Sequence, residues 1–78
     1  MKEILEAIIK NLVNEENEVN ITEETLENST IEFKVKVSKD DMGKVIGKQG
    51  RTANAIRTLM KSLAGKESKK INIEFVED

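Results

Sequence analysis

The chain has 78 residues, enough for one small domain over residues 1–78. It contains no cysteine and no histidine, which excludes disulfides, thiolate metal sites and imidazole catalysis. The net charge of −2 is unevenly divided, because residues 1–33 hold two Lys against nine Glu, whereas residues 34–70 hold nine Lys and two Arg against two Asp and one Glu. A basic segment between acidic ends is typical of a polyanion-binding surface, although a solvated charged face has the same pattern.

The first third of the chain predicts a helix followed by a strand. Apolar residues recur at helical spacing over residues 2–13, which is typical of an amphipathic helix. The polar segment 14–18 predicts a loop, and a modest strand is expected over residues 19–26. Asn28 and Ser29 then favour a turn before the next strand.

The clearest alternation of apolar and polar residues covers residues 31–38 and predicts a strand with one face on the core. Ser38 followed by Asp41 fits a capping box, in which each side chain bonds a free amide at the start of a helix. A short helix with inward apolar residues is therefore expected next, and Gly47 ends it. The inward residues are Met42, Val45 and Ile46.

A second helix is expected to begin after Gly50 and to end with Gly65 at its C′ position. Four apolar residues at helical spacing mark its inner face: Ile56, Leu59, Met60 and Leu63. A last strand is expected over residues 71–75. The predicted order is α-β-β-α-α-β, an α+β fold with three helices packed on the apolar face of a three-stranded sheet.

The segment between the two later helices is the most informative part of the sequence. Gly47 and Gly50 interrupt the helical pattern between two apolar stripes. Glycine allows a sharp turn and a close approach of another molecule to the backbone, and the next helix begins there with free amides. Together with neighbouring Lys and Arg residues, this pattern predicts a site for a phosphate backbone. A helix–turn–helix joint that needs glycine only for tight packing is the alternative.

Two common phosphate-binding motifs do not fit this segment. A P-loop needs four residues between its glycines, whereas three residues separate Gly43 from Gly47. It also ends in Gly-Lys-Ser/Thr, and here Lys48 is followed by Gln49. A dinucleotide fingerprint needs Gly-x-Gly-x-x-Gly after a strand, whereas Gly47 and Gly50 supply only its second half and follow a helix.

The segment instead resembles the Ile-Gly-x-x-Gly signature of KH domains, since it consists of Val45-Ile46-Gly47-Lys48-Gln49-Gly50 followed by apolar residues at helical spacing. The predicted element order resembles the type II arrangement, in which an extra helix and strand precede a β-α-α-β core. This arrangement implies a mixed sheet. The likeness covers nearly the whole chain, as in the small bacterial single-KH RNA-binding proteins of the KhpA type.

The resemblance implies a protein that binds single-stranded RNA with modest sequence preference and acts as an RNA chaperone or post-transcriptional regulator. A KH Gly-x-x-Gly loop clamps the backbone of about four unpaired nucleotides. By this resemblance, Gly47 and Gly50 would allow close approach of the RNA backbone. Lys48 and Gln49 would lie against the phosphates.

The same resemblance implies a groove beyond the loop, formed by the two helices, the strand at 31–38 and a variable loop near residues 65–70. Val45 and Ile46 match the apolar positions before the loop, and the sequence leaves open which of them faces the groove. KH domains usually carry a large aliphatic residue where this chain has Ala53. The small side chain either weakens the selectivity of the groove for bases or allows close helix packing.

Electrostatic attraction is expected to supply much of the affinity, because each neutralised phosphate releases counterions. The first candidates for phosphate contact lie in or near the loop: Lys44, Lys48, Arg51 and Arg57. A second group consists of Lys36, Lys39, Lys69 and Lys70. A second copy of the domain would add avidity, so a homodimer, or a heterodimer with another KH protein, is a further hypothesis.

Two other functions fit the sequence. A helix–turn–helix protein would place the second helix in the major groove of duplex DNA. Its outward residues would be Asn54, Arg57, Thr58 and Lys61. Alternatively, the domain would be a scaffold that binds other proteins, and its glycine-containing loop would be vestigial. Competition between single-stranded RNA and duplex DNA, and substitution of the loop, distinguish these functions.

An enzyme is the least expected class, because helix capping explains the adjacent pair Asp40-Asp41. No cofactor, metal or small-molecule substrate is expected. No segment approaches the roughly 18 apolar residues of a membrane span, and the acidic, amphipathic N-terminus is unlike a targeting peptide. A cytoplasmic protein that makes no contact with membranes is therefore expected.

Overall fold

The computed structural model describes residues 1–76 and contains three helices and three strands. The helices are α1 (Lys2–Leu12), α2 (Met42–Ile46) and α3 (Arg51–Lys66). The strands are β1 (Asn20–Thr25), β2 (Thr30–Lys36) and β3 (Lys70–Val76). Short 3₁₀ turns cover Glu16–Glu18, Lys39–Asp41 and Lys48–Gly50. The predicted α-β-β-α-α-β order is confirmed.

The three strands form one mixed sheet with β2 at its centre. Residues 20–25 pair antiparallel with residues 31–36, and residues 30–36 pair parallel with residues 70–76. Parallel neighbours need a crossover connection, which α2 and α3 provide. The helix α3 leads directly into the start of β3 and therefore runs in the opposite direction to that strand. Its first turn consequently lies near the carboxyl ends of β2 and β3, which are parallel.

The connection between β1 and β2 is tight. Asn28 and Ser29 have φ values of 61° and 59°, and the amide of Thr30 donates to the carbonyl of Glu27 at 3.3 Å. Two consecutive positive φ values are what a type I′ turn requires, so the predicted turn is confirmed. The carbonyl of Ser29 also accepts from the amide of Lys70 at 3.1 Å, which joins this turn to the start of β3.

One face of the sheet carries the helices and the core, and the other is polar. Ile31, Phe33 and Val35 point from β2 into the core, whereas the intervening residues are exposed or half-buried. The side chains that are largest and fully enclosed are Phe33, Leu5, Ile9, Met60, Val35, Val45 and Asp41. Each apolar side chain of this size contributes about 1.5–3 kcal/mol when buried. Among residues 1–76, no helix is long and apolar enough to cross a membrane.

Some element ends and faces differ from the predictions. The first helix stops one residue early, because Val13 is extended (φ −103°, ψ 160°) and turns its side chain into the core. Gly65 is not the C′ residue, because α3 continues through it and the left-handed residue after the helix is Ser68, with φ 57°. Leu59 is 49% exposed, because only a narrow stripe of α3 faces the sheet.

The predicted capping box is wrong, because the carboxylate of Asp41 accepts hydrogen bonds from backbone amides in a distant part of the chain and does not cap the helix. Asp41 is 1% exposed, and its Oδ2 accepts hydrogen bonds from the amides of Asn14 and Glu15 at 3.2 and 2.9 Å. Ser38 Oγ donates to the same oxygen at 3.0 Å, and Lys44 Nζ donates to Oδ1 at 3.3 Å. The amide of Glu15 is the largest cause of the lowered pKa of Asp41, which falls to about 2. The carboxylate therefore joins the end of α1 to the start of α2.

Candidate functional site

The junction between α2 and α3 is a sharp bend, as the two glycines predict. Gly47 has φ 76° and ψ 177°, a backbone region that is essentially restricted to glycine. Gln49 and Gly50 follow with φ values of 56° and 75°. Three of the four residues 47–50 therefore have positive φ. The predicted interruption of the helix is confirmed, and α2 and α3 are separate helices.

The two glycines of the bend have different surroundings. A Cβ atom at Gly47 would lie 2.8 Å from Thr52 Cβ and 2.9 Å from Thr52 N, closer than real Cβ atoms approach. At Gly50 the nearest atom would be Asn54 Nδ2 at 4.0 Å. Gly47 is therefore required by both its conformation and its packing, whereas Gly50 is required only by its left-handed conformation.

Two backbone amides at the bend donate hydrogen bonds to carbonyl groups of the bend itself. The amide of Gly50 donates to the carbonyl of Gly47 at 3.3 Å, and the amide of Arg51 donates to the carbonyl of Lys48. Within residues 1–76, no side chain caps the N-terminus of α3. The positive end of the α3 dipole therefore faces the bend without a protein anion, but fewer amides are open than the sequence predicts.

Lys48, Gln49 and Arg51 form the exposed surface of the bend and line a shallow concavity. In the part of the chain that the structure describes, neither Lys48 nor Arg51 forms an ion pair or a side-chain hydrogen bond. Both charges are therefore available to an anionic ligand. Lys44 differs, because its ammonium group is 3.3 Å from the buried Asp41 carboxylate, which compensates part of its charge.

The apolar residues next to the bend divide between core and surface. Val45 is fully buried, whereas Ile46 is only partly buried and packs at the margin of the core. Ile46 is therefore the residue that offers aliphatic surface beside the bend. Ala53 is 2% exposed on the inner face of α3, which favours the packing role over a role in lining a groove.

Arg57 lies against β3 and contributes to packing. Its Nε donates to the carbonyl of Ile73 at 3.2 Å, and its Nη1 donates to Asn54 Oδ1 at 3.1 Å. The guanidinium carbon is 5.2 Å from the centroid of the Phe75 ring, within the range of a cation–π interaction. The sequence did not indicate this arrangement, because Ile73, the residue of β3 that Arg57 bonds, lies 16 residues later in the chain.

The other predicted cations do not gather at the bend. Lys36 lies on the face of the sheet opposite the helices, and Lys39 is exposed in the turn before α2. Lys69 and Lys70 follow the far end of α3, whose 16 residues span about 24 Å. There they line a second shallow concavity together with Lys61.

The strand that Arg57 of α3 contacts is β3, whereas the strand predicted over residues 31–38 is β2; its part in forming a groove stays a prediction. Both edges of β2 are paired, with β1 on one side and β3 on the other. The contact of Arg57 with the carbonyl of Ile73 instead places α3 along β3. The concavity at the bend is lined by Lys48, Gln49 and Arg51.

Comparison with known proteins agrees with this architecture. A family model described as "KhpA/KhpB, KH domain" matches residues 2–75. A protein of Clostridium acetobutylicum named RNA-binding protein KhpA is 51% identical over 76 residues, which cover 97% of this chain and 100% of that protein. A protein of the same name from Listeria monocytogenes is 48% identical, and the alignment covers 99% of this chain and 100% of that protein. Another from Chlamydia trachomatis is 45% identical, and the alignment covers 100% of this chain and 99% of that protein.

The matches extend over nearly all of the chain, and the mixed sheet with three helices on one face is the type II KH fold. The bend between α2 and α3 has the sequence Gly47-Lys48-Gln49-Gly50. The chain belongs to the KhpA/KhpB family of KH domains.

Proposed function

We propose that the chain is an RNA-binding protein that holds single-stranded RNA by its phosphate backbone at residues 47–50. The observation that carries this proposal is the bend itself, where Lys48 and Arg51 are exposed and without protein partners in the described chain. Relatives at 45–51% identity over nearly the full chain are named RNA-binding proteins, which supports RNA as the ligand. An RNA chaperone or post-transcriptional regulator in the cytoplasm is the corresponding cellular role.

The chemistry of the site favours contact with the backbone over aromatic stacking. The chain has two aromatic residues, of which Phe33 is fully buried and Phe75 lies under the Arg57 guanidinium. Proteins that bind single strands through stacking depend on exposed aromatic rings. A bend with two available cations and an aliphatic neighbour, Ile46, suits phosphate contacts with modest base preference. Affinity is then expected to fall as salt rises.

Two observations disfavour the helix–turn–helix alternative. The first helix of the pair, α2, has only five residues. Arg57, one of the four residues predicted for the outer face of a DNA-reading helix, instead bonds the Ile73 carbonyl and packs on the Phe75 ring. The scaffold alternative gives no reason for two unpaired cations on the bend. Dimerisation, with a second copy or another KH protein, stays part of the proposal because it would add avidity to a short RNA footprint.

The direct test replaces Lys48 and Gln49 by Asp, which we call the loop variant. Both side chains are exposed and both glycines are kept, so the fold is expected to persist; Asp also tolerates the left-handed conformation of Gln49. The change reverses the charge of the bend, and we expect RNA affinity to fall more than about tenfold. Fluorescence anisotropy with short labelled RNA homopolymers at several salt concentrations measures this loss.

The matched control carries the same change in net charge on α1, through Lys2→Asp and Asn11→Asp. This control is expected to bind RNA nearly as tightly as the unaltered chain. Equal affinity of the loop variant and the control would contradict the proposal. Duplex DNA is added as a competitor, and displacement of RNA by duplex at equal nucleotide concentration would favour the DNA-binding alternative.

The two arginines of the chain are expected to have separate roles. Arg51→Ala should leave stability unchanged and lower the slope of log affinity against log salt by about one, the effect of losing one phosphate contact. Arg57→Ala should instead lower the free energy of unfolding by about 1–2 kcal/mol, because it removes hydrogen bonds and a cation–π contact. Urea unfolding and salt-dependent RNA binding measure both effects. An unchanged salt slope for Arg51→Ala would argue against phosphate contact at the bend.

A further inference from the structure

A second group of cations lies at the end of α3 that is remote from the bend. Lys61, Lys69 and Lys70 line a shallow concavity with Ile71 and Asn72, which we call the distal concavity. All three lysines are exposed, and within residues 1–76 none of them forms an ion pair or a side-chain hydrogen bond. Neighbouring ammonium groups without a counterion create a positive potential. The distal concavity therefore attracts an anion.

The free edge of β3 supplies a backbone donor to the same concavity. The carbonyl of Ile73 accepts the hydrogen bond from Arg57 at 3.2 Å, so it points away from β2. The amide of Lys70 points the other way, because it donates to the carbonyl of Ser29 at 3.1 Å. Backbone groups of successive residues face opposite edges of a strand, and those of an edge strand are unpaired on one side. The amide of Ile71 therefore faces the free edge, where an anion can accept from it.

The exposed face of α3 connects the bend to the distal concavity without an acidic residue. The helix has four cations and no Asp or Glu in its 16 residues. Residues three or four positions apart are neighbours on a helix surface, and four exposed residues at this spacing form one ridge: Arg51, Asn54, Thr58 and Lys61. Glu67 follows the helix but does not line the distal concavity. A phosphate backbone that follows this ridge meets no carboxylate of α3.

The distance between the bend and the distal concavity determines how long a strand must be to reach both. The 16 residues of α3 span about 24 Å. A stacked strand carries one phosphate per about 3.4 Å, so about seven stacked nucleotides cover this distance, and fewer cover it when the strand is unstacked. The roughly four nucleotides that a Gly-x-x-Gly loop clamps span about 14 Å when stacked. They end before the distal concavity.

We propose that the distal concavity is a second phosphate-binding site, at which Lys61, Lys69 and Lys70 hold the RNA strand beyond the nucleotides at the bend. This inference rests on the proposed function, since it assumes RNA at residues 47–50. The ligand is then one continuous single strand, longer than four nucleotides, that passes along α3. Because such a strand has phosphate contacts at both ends of the helix, it binds more tightly than a tetranucleotide and its affinity falls more steeply with salt.

The test measures binding of a uridine tetranucleotide and a uridine nonanucleotide to the unaltered chain and to a distal variant, which carries Lys69→Gln and Lys70→Gln. Both side chains are exposed, so Tm is expected to change by less than about 2 °C. The distal variant should bind the nonanucleotide at least about fivefold more weakly and the tetranucleotide within about twofold of the unaltered chain. For the nonanucleotide, the slope of log affinity against log salt should fall by about 1.4, the effect of losing two single-strand phosphate contacts.

The matched control removes two charges from α1, through Lys2→Gln and Lys10→Gln. Neither residue lines the distal concavity. The control is expected to bind both oligonucleotides nearly as tightly as the unaltered chain. If it lost as much nonanucleotide affinity as the distal variant, net charge would account for the loss and the inference would be overturned. A nine-base-pair duplex that bound as tightly as the single strand would also overturn it, because the distal concavity would then be a general polyanion surface.

The loop variant separates this inference from the proposed function. If the loop variant loses both oligonucleotides while the distal variant binds the nonanucleotide normally, the inference is overturned and the proposed function stands. If the loop variant binds both normally, the proposed function fails and the inference falls with it, since no strand is then held at the bend. An equal loss of the tetranucleotide and the nonanucleotide by the distal variant would contradict the inference alone, because the distal lysines would then contact the same four nucleotides as the bend.

Discussion

Replacing Gly47 by alanine is expected to lower the free energy of unfolding by about 3 kcal/mol, a large part of the stability of a domain this size. Two causes act together. The backbone angles of φ 76° and ψ 177° suit glycine alone. The added Cβ would also collide with the backbone and side chain of Thr52, the second residue of α3. Urea unfolding monitored by circular dichroism measures the loss.

Gly50 provides the matched control for this substitution. It also has positive φ, 75°, but a Cβ atom there would be 4.0 Å from its nearest neighbour. Gly50→Ala is expected to lose about 1–2 kcal/mol, the cost of a left-handed conformation for an ordinary residue, and Gly50→Asn less than this. The assignment of a packing role to Gly47 would be wrong if Gly47→Ala and Gly50→Ala were equally destabilising.

Loss of the Asp41 carboxylate is the second substitution with a large expected effect. Asp41→Asn should lower Tm by more than about 5 °C at neutral pH. Asparagine keeps the shape but replaces one acceptor oxygen with a donor, so either the amides of Asn14 and Glu15 or the ammonium of Lys44 lose their acceptor. Asp40→Asn is the control, because Asp40 is the adjacent residue in the same turn and is exposed.

The same carboxylate predicts how stability depends on pH. Hydrogen bonds, first of all from the amide of Glu15, lower the pKa of Asp41 from 3.8 to about 2 in the folded chain. A lowered folded pKa means that the unfolded state binds the proton more readily. The contribution of Asp41 is therefore complete above pH 3.8 and is lost as the pH falls towards 2. Thermal melts of Asp41→Asn and the unaltered chain should converge over this interval; a constant difference in Tm would contradict the assignment.

These substitutions also bear on how the site is held in place. Asp41 ties the start of α2 to the loop after α1, and Thr52 leaves no room for a side chain at Gly47. The exposed Lys48 and Arg51 thus follow a helix whose start is held by the Asp41 hydrogen bonds. We expect Asp41→Asn to reduce RNA affinity less than the loop variant does, since it removes support for the bend but no group that faces the ligand.

The order of helices and strands, the bend at residues 47–50 and the tight turn at Asn28 and Ser29 followed from the sequence alone. Each depends on interactions over a few residues: periodic burial of side chains, or the positive φ that glycine and asparagine tolerate. The family was also evident from these local features, because its signature is a short motif within a fixed order of elements. The binding roles of the loop residues stay predictions, to be decided by the RNA measurements.

Other features depend on residues that are distant in sequence, and local patterns did not reveal them. Asp41 looked like a helix cap, but its partners lie 26 and 27 residues earlier. Arg57 was predicted to be a cation near the loop, but its side chain donates a hydrogen bond to the carbonyl of Ile73 in β3, 16 residues later. Strand order placed β2 at the centre of the sheet and β3 beside α3. Folding brings such groups together because a buried charge, like the buried amides and carbonyls of a central strand, needs hydrogen-bond partners, and those partners can come from any part of the chain.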